Sequence, residues 1–105
     1  MGLFAATPEP PYYAVIFTSA RTAGDHGYTA MAETMLELAS HQPGFLGIET
    51  ARDELGISVS YWSDLASIRL WKTNLAHREA QKRGREAWYS AYRVRISKVE
   101  RDYGM

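Results

Sequence analysis

Histidine is the side chain in this sequence best suited to proton transfer near neutral pH, because an imidazole titrates there. The chain has 105 residues and three histidines, His26, His41 and His77. His77 lies in a predicted helix, where it suits a general base. The alternative is a partly exposed helix residue that caps the helix or pairs with an acid. His26 and His41 lie at a turn and a helix end without the spacing of metal ligands, so we predict no metal site.

An asparagine and three aromatic residues are further candidates for a small-molecule site. Asn74 is able to donate a hydrogen bond to a bound carbonyl or oxygen species, but it also suits the N-cap of a helix that restarts after Thr73. Phe17, Trp62 and Trp88 are suited to wall an apolar pocket, but packing in the core or in a dimer is the favoured role for each. We therefore predict these four residues as candidate substrate contacts.

The composition excludes several kinds of chemistry. The chain has no cysteine, which removes disulfides, iron–sulfur clusters and a cysteine nucleophile. No Gly-rich phosphate loop follows a predicted strand, and no Ser-His-Asp set is suggested, so we predict no nucleotide or flavin cofactor. The N-terminus does not resemble a signal peptide and no apolar stretch is long enough to cross a bilayer. We expect a cytoplasmic protein with no membrane partner.

Charge is balanced overall, with 12 basic and 12 acidic residues, but it is unevenly distributed. Acids outnumber bases eight to two up to Ile68, and bases outnumber acids ten to four from Arg69 onward. The two charged regions either face each other, within or between subunits, or form an anion-binding mouth. Basic and acidic residues are interleaved around Lys82 and Glu86, and no nucleic-acid-binding signature is present, so we expect no nucleic-acid partner.

Hydrophobic periodicity predicts one α+β domain over residues 12–105, preceded by an extended, proline-rich arm over residues 1–11. The strands are predicted over 12–20, 45–51, 57–62 and about 91–100, the last with a bulge near Ser97. One helix ends at about His41, and a second runs from Ser63-Asp64 to about Gly84 with a break at Thr73-Asn74. This strand–helix–strand–strand–helix–strand order is the ferredoxin-like βαββαβ arrangement, a four-stranded antiparallel sheet with both helices on one face.

The first strand is apolar on both faces, which predicts that both faces of the sheet are covered. Tyr13, Val15 and Phe17 form one face, and Tyr12, Ala14 and Ile16 form the other. The helices cover only one of these faces, and we expect nothing else in the chain to cover the other. We therefore predict a homodimer through the sheet face.

Several segments together resemble the antibiotic-biosynthesis-monooxygenase-like superfamily, in particular its small bacterial members. The resemblance covers nearly everything after the proline arm. It is carried by the YYAVIF strand, the turn Gln42-Pro43-Gly44-Phe45-Leu46-Gly47, Tyr61-Trp62 at the end of the third strand, Leu70-Trp71-Lys72, the His77-x-x-Ala80-Gln81 segment and the closing run 99–104.

The resemblance implies a dimeric α/β barrel with a pocket in each subunit between the sheet and the helices. It also implies a substrate-shaping role for Trp71, whose alternative is a core residue beside Leu65 and Ile68. Some relatives degrade haem, but the position of their haem ligand falls near Gln81, which is not a credible iron ligand. The first strand also lacks the asparagine of those enzymes.

The function favoured by these features is a cofactor-independent monooxygenase acting on an aromatic or phenolic small molecule. His77 and Trp71 are its predicted catalytic residues, with His77 assisting deprotonation and Trp71 packing against the substrate. The alternative is a non-catalytic dimeric protein on the same scaffold that binds small molecules or is associated with stress. Haem degradation is less favoured.

Overall fold

The computed structural model describes residues 4–105, except for the side chains of residues 75, 76 and 85. It has the predicted α+β, ferredoxin-like fold. The elements in chain order are β1 (Tyr12–Arg21), α1 (Tyr28–Ser40), β2 (Phe45–Arg52), β3 (Gly56–Trp62), α2 (Leu65–Thr73), α3 (Leu75–Arg83), a π-helical turn (Gly84–Trp88) and β4 (Tyr89–Val99). The strands lie in the order β2-β3-β1-β4, and every neighbouring pair is antiparallel.

The predicted break in the second helical segment is confirmed. The helix α2 begins after Asp64, whose carboxylate accepts a hydrogen bond from the Ser67 N–H at 2.7 Å, and it ends at Thr73. Asn74 separates α2 from α3, which begins at Leu75.

The predicted bulge near Ser97 is wrong. Pairing between β1 and β4 runs without interruption from Tyr12–Val99 to Ala20–Ala91, and the register shifts only beyond Ala20. Val99 does not share a face with Ile96, because the alternation of side chains continues normally and places Val99 opposite Tyr12.

The register shows which side chains face the helices. Trp62 of β3 lies opposite both Tyr13 of β1 and Phe45 of β2, and its ring contacts Trp71 of α2. Directly opposed residues in an antiparallel pair share a face. The helix-facing side therefore carries Tyr13, Val15 and Phe17 from β1 and Ser58, Ser60 and Trp62 from β3.

The other side of the sheet is partly covered by the ends of the chain itself. The Ala5 N–H donates to the Glu49 carboxylate at 2.9 Å, the Thr7 hydroxyl contacts the Tyr12 hydroxyl, and Tyr12 in turn donates to Asp102. The prediction that only another copy is available to cover this side is therefore revised, because Tyr12 is 4% exposed within one chain. Residues 1–3 of the predicted arm lie outside the described residues.

The arm and tail leave part of this side open. Leu55, at the turn between β2 and β3, is 54% exposed, and Ile57 is 43% exposed. Val59 and Ile16 lie on the same side and are partly buried. None of the helices in the described part of the chain is long and apolar enough to cross a membrane.

Candidate functional site

The strand β3 turns its small hydroxyl side chains toward the helices and its larger apolar side chains away from them. Ser58 and Ser60 lie on the helix-facing side, whereas Ile57, Val59 and Tyr61 lie on the opposite side. A serine fills much less volume than the valine or isoleucine that usually lies under a helix. The sheet therefore has a low, hydroxyl-lined floor below the helical layer.

The space above this floor is an open cleft. Val15 and Phe17 on β1, Met31 and Met35 on α1, and Trp71 on α2 are only partly buried. Protein interiors are close-packed, so apolar side chains between two layers lose solvent contact when those layers are filled. Their residual exposure indicates a cleft between the sheet and the helices.

The cleft widens toward the edge strand β4. The apolar side chains of Tyr92, Val94 and Ile96 are 40%, 46% and 50% exposed. Each lies opposite a β1 residue of the helix-facing side, and Val94 is paired with Phe17. The mouth of the cleft is therefore apolar, as in most sites that bind small organic molecules.

The break between α2 and α3 places His77 against Trp71. The two rings are stacked with 4.3 Å between their centroids and an angle of 13° between their planes. His77 Nδ1 lies 3.0 Å from the main-chain oxygen of Trp71. The prediction named these two residues as the catalytic pair, and the structure brings them into direct contact.

This hydrogen bond determines the tautomer of His77. A carbonyl oxygen only accepts, so Nδ1 carries the proton and donates it. Nε2 is then the nitrogen with the lone pair when the ring is neutral, and it has no hydrogen-bond partner among the residues that the structure describes. Burial lowers the pKa of His77 below the ordinary 6.5, although the bond to Trp71 acts in the opposite direction. His77 is thus a neutral base at pH 7.

The other predicted aromatic residues differ in where they lie. Phe17 lies in the cleft wall, in ring contact with Tyr89 at 5.3 Å. Trp62 is 1% exposed, and its indole N–H donates to the Ser60 hydroxyl at 2.9 Å, so it is a core residue behind Trp71. Trp88 is also buried, and its indole N–H donates to the His26 carbonyl. Of these three, only Phe17 has the partial exposure that a ligand contact requires.

Asn74 has the geometry of a helix cap. Its side-chain oxygen lies 3.4 Å from the His77 N–H, and its main-chain oxygen accepts the Arg78 N–H at 2.9 Å. The capping interpretation therefore accounts for this residue, and through the cap it also fixes the start of the helix that carries His77. Contact between Asn74 and a ligand stays a prediction.

A cluster of tyrosine and arginine side chains at the far end of the cleft was not predicted. Tyr89 contacts both Phe17 and Tyr28, with a hydrogen bond between the Tyr28 and Tyr89 hydroxyls. Burial raises the pKa of Tyr89, the Tyr28 hydrogen bond raises it further, and the positive charges of Arg52 and Arg21 act the other way. These residues come from four separate segments, and no local motif in the sequence marks them.

The described residues include no group of three or more histidine, aspartate or glutamate side chains that is placed to hold a metal ion. Two hydroxyls, those of Ser58 and Thr50, lie 2.9 Å apart on the floor of the cleft. Thr50 precedes Arg52 by two residues on β2, so both side chains lie on the same side of the sheet. The chemistry available in the cleft is therefore that of one imidazole base, several hydroxyls, apolar walls and the arginine side chains at its far end.

Comparison with known proteins identifies the family. No known family model matches the chain. YqjZ from Bacillus subtilis, described as an uncharacterized protein, is 48% identical over 103 residues, which cover 96% of this chain and 90% of YqjZ. The chain belongs to the YqjZ family.

Solved structures show that the YqjZ-family fold is shared with antibiotic-biosynthesis-monooxygenase-like proteins. A mutant of SnoaB, a cofactor-independent oxygenase from Streptomyces nogalater, has a TM-score of 0.75 at 9% identity, covering 87% of this chain and 95% of that one. An antibiotic biosynthesis monooxygenase has a TM-score of 0.71 at 11% identity, covering 83% and 97%. A protein from Pseudomonas aeruginosa has a TM-score of 0.69 at 17% identity, covering 92% and 100%. At these identities the likeness shows the fold alone.

Proposed function

We propose that this protein is a monooxygenase that binds a phenolic aromatic molecule in the cleft and uses His77 as the general base. The observation that carries the proposal is the hydrogen bond from His77 Nδ1 to the Trp71 carbonyl, which leaves Nε2 as the basic nitrogen. The exposed His41 is held instead through its Nε2 by the Glu37 carboxylate. The fold shared with SnoaB, a cofactor-independent oxygenase, is consistent with this chemistry.

The proposed reaction needs no group from the protein other than a base. Nε2 of His77 takes the phenol proton, and the resulting phenolate is electron-rich enough to reduce dioxygen. The phenol loses four electrons overall and becomes a quinone. One oxygen atom of dioxygen becomes the new carbonyl oxygen, and the other leaves as water together with two hydrogens from the substrate. The apolar cleft mouth and the hydroxyl-lined floor suit a flat ring with a few polar substituents.

The role of Trp71 is narrower than the resemblance implied. Because the His77 ring covers one face of Trp71 at 4.3 Å, that face is not available to a substrate. We propose that Trp71 supports the imidazole by stacking and offers only its remaining surface to the ring of the substrate. Trp71→Phe should then reduce turnover less than His77→Ala.

Oxygen uptake with anthrone-like substrates tests the proposal. We expect wild-type protein to consume oxygen, His77→Ala to lose most of this activity, and His41→Ala to behave as wild type. General-base catalysis typically contributes 10²–10⁴-fold, so the loss should be about that large. Activity should fall as the pH is lowered through a midpoint below 6.5, because protonated His77 is not a base.

Two results would change this conclusion. Equal oxygen uptake by wild type and His77→Ala would remove His77 from the reaction. Binding of the substrate without any oxygen uptake by the wild type would favour the alternative, a non-catalytic binding protein on the same scaffold.

We also propose that two copies pair through the open side of the sheet. Leu55 and Ile57 are exposed there next to the partly buried Val59. The same side carries Arg93 and Arg95, and the turn beside Leu55 carries Asp53 and Glu54, so a second copy offers both apolar surface and charges of the opposite sign.

Sedimentation measures this pairing. Ile57→Lys should shift the protein toward monomer, because it buries a charge at the interface. Leu36→Lys is the matched control, because Leu36 lies on α1 and is 47% exposed, similar to the 43% of Ile57. It should leave the sedimentation mass of the protein unchanged. A wild-type monomer at micromolar concentration would contradict the proposed dimer.

A further inference from the structure

Arg52 is fixed in place at the end of the cleft that lies away from His77. Its guanidinium donates to the hydroxyl of Ser19 and, at 3.4 Å, to the main-chain oxygen of the same residue. Ser19 is 1% exposed, so this anchor is buried although Arg52 itself is exposed. Gly56 lies directly beneath the guanidinium, where any Cβ would collide with it.

Arg52 also belongs to the helix-facing side of the sheet. Ser19 shares that side with Phe17, whose ring contacts Tyr89 and Tyr92. Arg52 lies opposite Gly56, which in turn lies opposite Ser19, so the strand register places its side chain on the same side as Ser19. The residue is therefore part of the cleft and not of the opposite surface.

The positive charge of Arg52 is not compensated locally. No carboxylate among the described residues lies within ion-pair distance of it, and the ion pair formed within this part of the chain joins His41 and Glu37. A guanidinium has five N–H donors, of which Ser19 takes two. Arg21, the other cation near Tyr89, differs because its N–H groups are committed to the carbonyls of Trp88, Gly24 and Asp25.

We propose that Arg52 is an anion-binding subsite that receives a carboxylate carried by the aromatic substrate. A carboxylate presents two oxygens that match the planar fork of a guanidinium, and an arginine already held by a buried hydroxyl loses little freedom on binding. The proposal rests on the function proposed above and specifies its substrate class further: a phenolic ring system with an acidic group at the end remote from the reacting hydroxyl.

The distance between the two ends sets the size of this substrate. Trp62, behind the His77–Trp71 stack, lies opposite Tyr13, and Ser19 is six residues further along β1. At about 3.3 Å per residue, these positions are roughly 20 Å apart. Measured along the helical layer, from His77 to Gly84, which contacts Tyr89, the separation is roughly 10 Å at 1.5 Å per residue. A fused polycyclic molecule is long enough for the shorter of these two separations, the one along the helical layer, and a single ring is not.

Two probes of the same shape and different charge test this inference. Anthraquinone-2-carboxylate and anthraquinone-2-carboxamide are titrated into the protein, and binding is followed by quenching of tryptophan fluorescence, since Trp71 lines the cleft. We expect the wild type to bind the carboxylate about tenfold more tightly, the ratio that one charge-assisted hydrogen-bonded contact produces. This ratio should shrink as salt is added.

Variants assign the preference to one residue. In Arg52→Gln the two probes should bind with nearly equal affinity while the carboxamide affinity stays unchanged. Arg52→Lys, which keeps the charge but not the fork, should retain part of the preference and also shows whether the position tolerates replacement. Arg69→Gln, which removes an exposed arginine of α2, should retain the full wild-type ratio.

The outcomes separate this inference from the proposed function. A carboxylate preference that persists in Arg52→Gln would overturn the subsite, and so would equal binding of both probes by the wild type. Both results leave a ligand-binding cleft intact. Failure of the wild type to bind either probe would contradict the proposed function itself, and the subsite with it.

Discussion

The turn before β2 offers a sharp test of how the helical layer is held over the cleft. Gly44 has a positive φ of 81°, and a Cβ added there would lie 2.6 Å from the Cβ of Ser67 and 2.8 Å from the hydroxyl of Ser63. Ser67 is a buried residue of α2, the helix that carries Trp71. Gly44→Ala should therefore strain the backbone and also push α2 away from the sheet.

A second glycine separates these two effects. Gly27 has nearly the same φ, 82°, but the nearest atom to its added Cβ is an Arg83 nitrogen at an ordinary 3.7 Å. A left-handed conformation costs an L-residue roughly 1–2 kcal/mol, and overpacking adds roughly 1–3 kcal/mol. We expect Gly27→Ala to lower the free energy of unfolding by about 1–2 kcal/mol and Gly44→Ala by about 2–5 kcal/mol. The entropic effect of Gly→Ala on the unfolded chain is common to both variants.

Urea denaturation measures the free energy of unfolding of both variants. A third variant tests whether the Ser67 side chain causes the extra loss in Gly44→Ala. In a Ser67→Gly background the Ser67 side chain is absent and only the Ser63 hydroxyl still lies too close, so the difference between Gly44→Ala and Gly27→Ala should shrink. Gly44→Ala should also weaken probe binding in the cleft, whereas Gly27→Ala should not. Equal destabilisation by the two single substitutions would refute the reasoning, because it would show that the turn and α2 move apart without cost.

Two further predictions concern hydroxyl groups on the two sides of the sheet. Ser60→Ala leaves the indole N–H of the buried Trp62 without its partner and should lower the free energy of unfolding by roughly 1–3 kcal/mol. Ser58→Ala removes a more exposed hydroxyl and should lower it much less. Urea denaturation of the two variants measures the difference. On the opposite side, burial and a hydrogen bond to Glu49 raise the pKa of Tyr61 to about 12. The unfolded chain then loses its Tyr61 proton first, so stability should fall as the pH rises from about 10 to about 12. Tyr61→Phe should make that fall shallower, and an unchanged pH dependence would speak against the buried environment of this hydroxyl.

Local signals in the sequence were sufficient for the order of the elements. The apolar periodicity of α1, the β-branched and aromatic run of β1, and the capping residues at Asp64 and Asn74 depend on neighbours a few positions away. These features predicted the ferredoxin-like fold, including the break between α2 and α3. The error at Ser97 arose because Val99 was assigned to the face of Ile96, when it simply belongs to the other face.

The tertiary structure decided which residues meet. Alternation along β3 separates Ser58, Ser60 and Trp62 from Ile57, Val59 and Tyr61, but a period of two does not say which set lies under the helices. The helices here cover the serines, and this leaves the cleft open.

The local sequence pattern also did not predict the tautomer of His77 or the hydrogen bonds that hold Arg52. The tautomer of His77 depends on a hydrogen bond to the carbonyl of Trp71, six residues earlier and across a helix break. Arg52 donates to the buried Ser19, which is 33 residues earlier in the sequence. Contacts of this kind depend on the packing of whole elements, and packing follows from the three-dimensional fold.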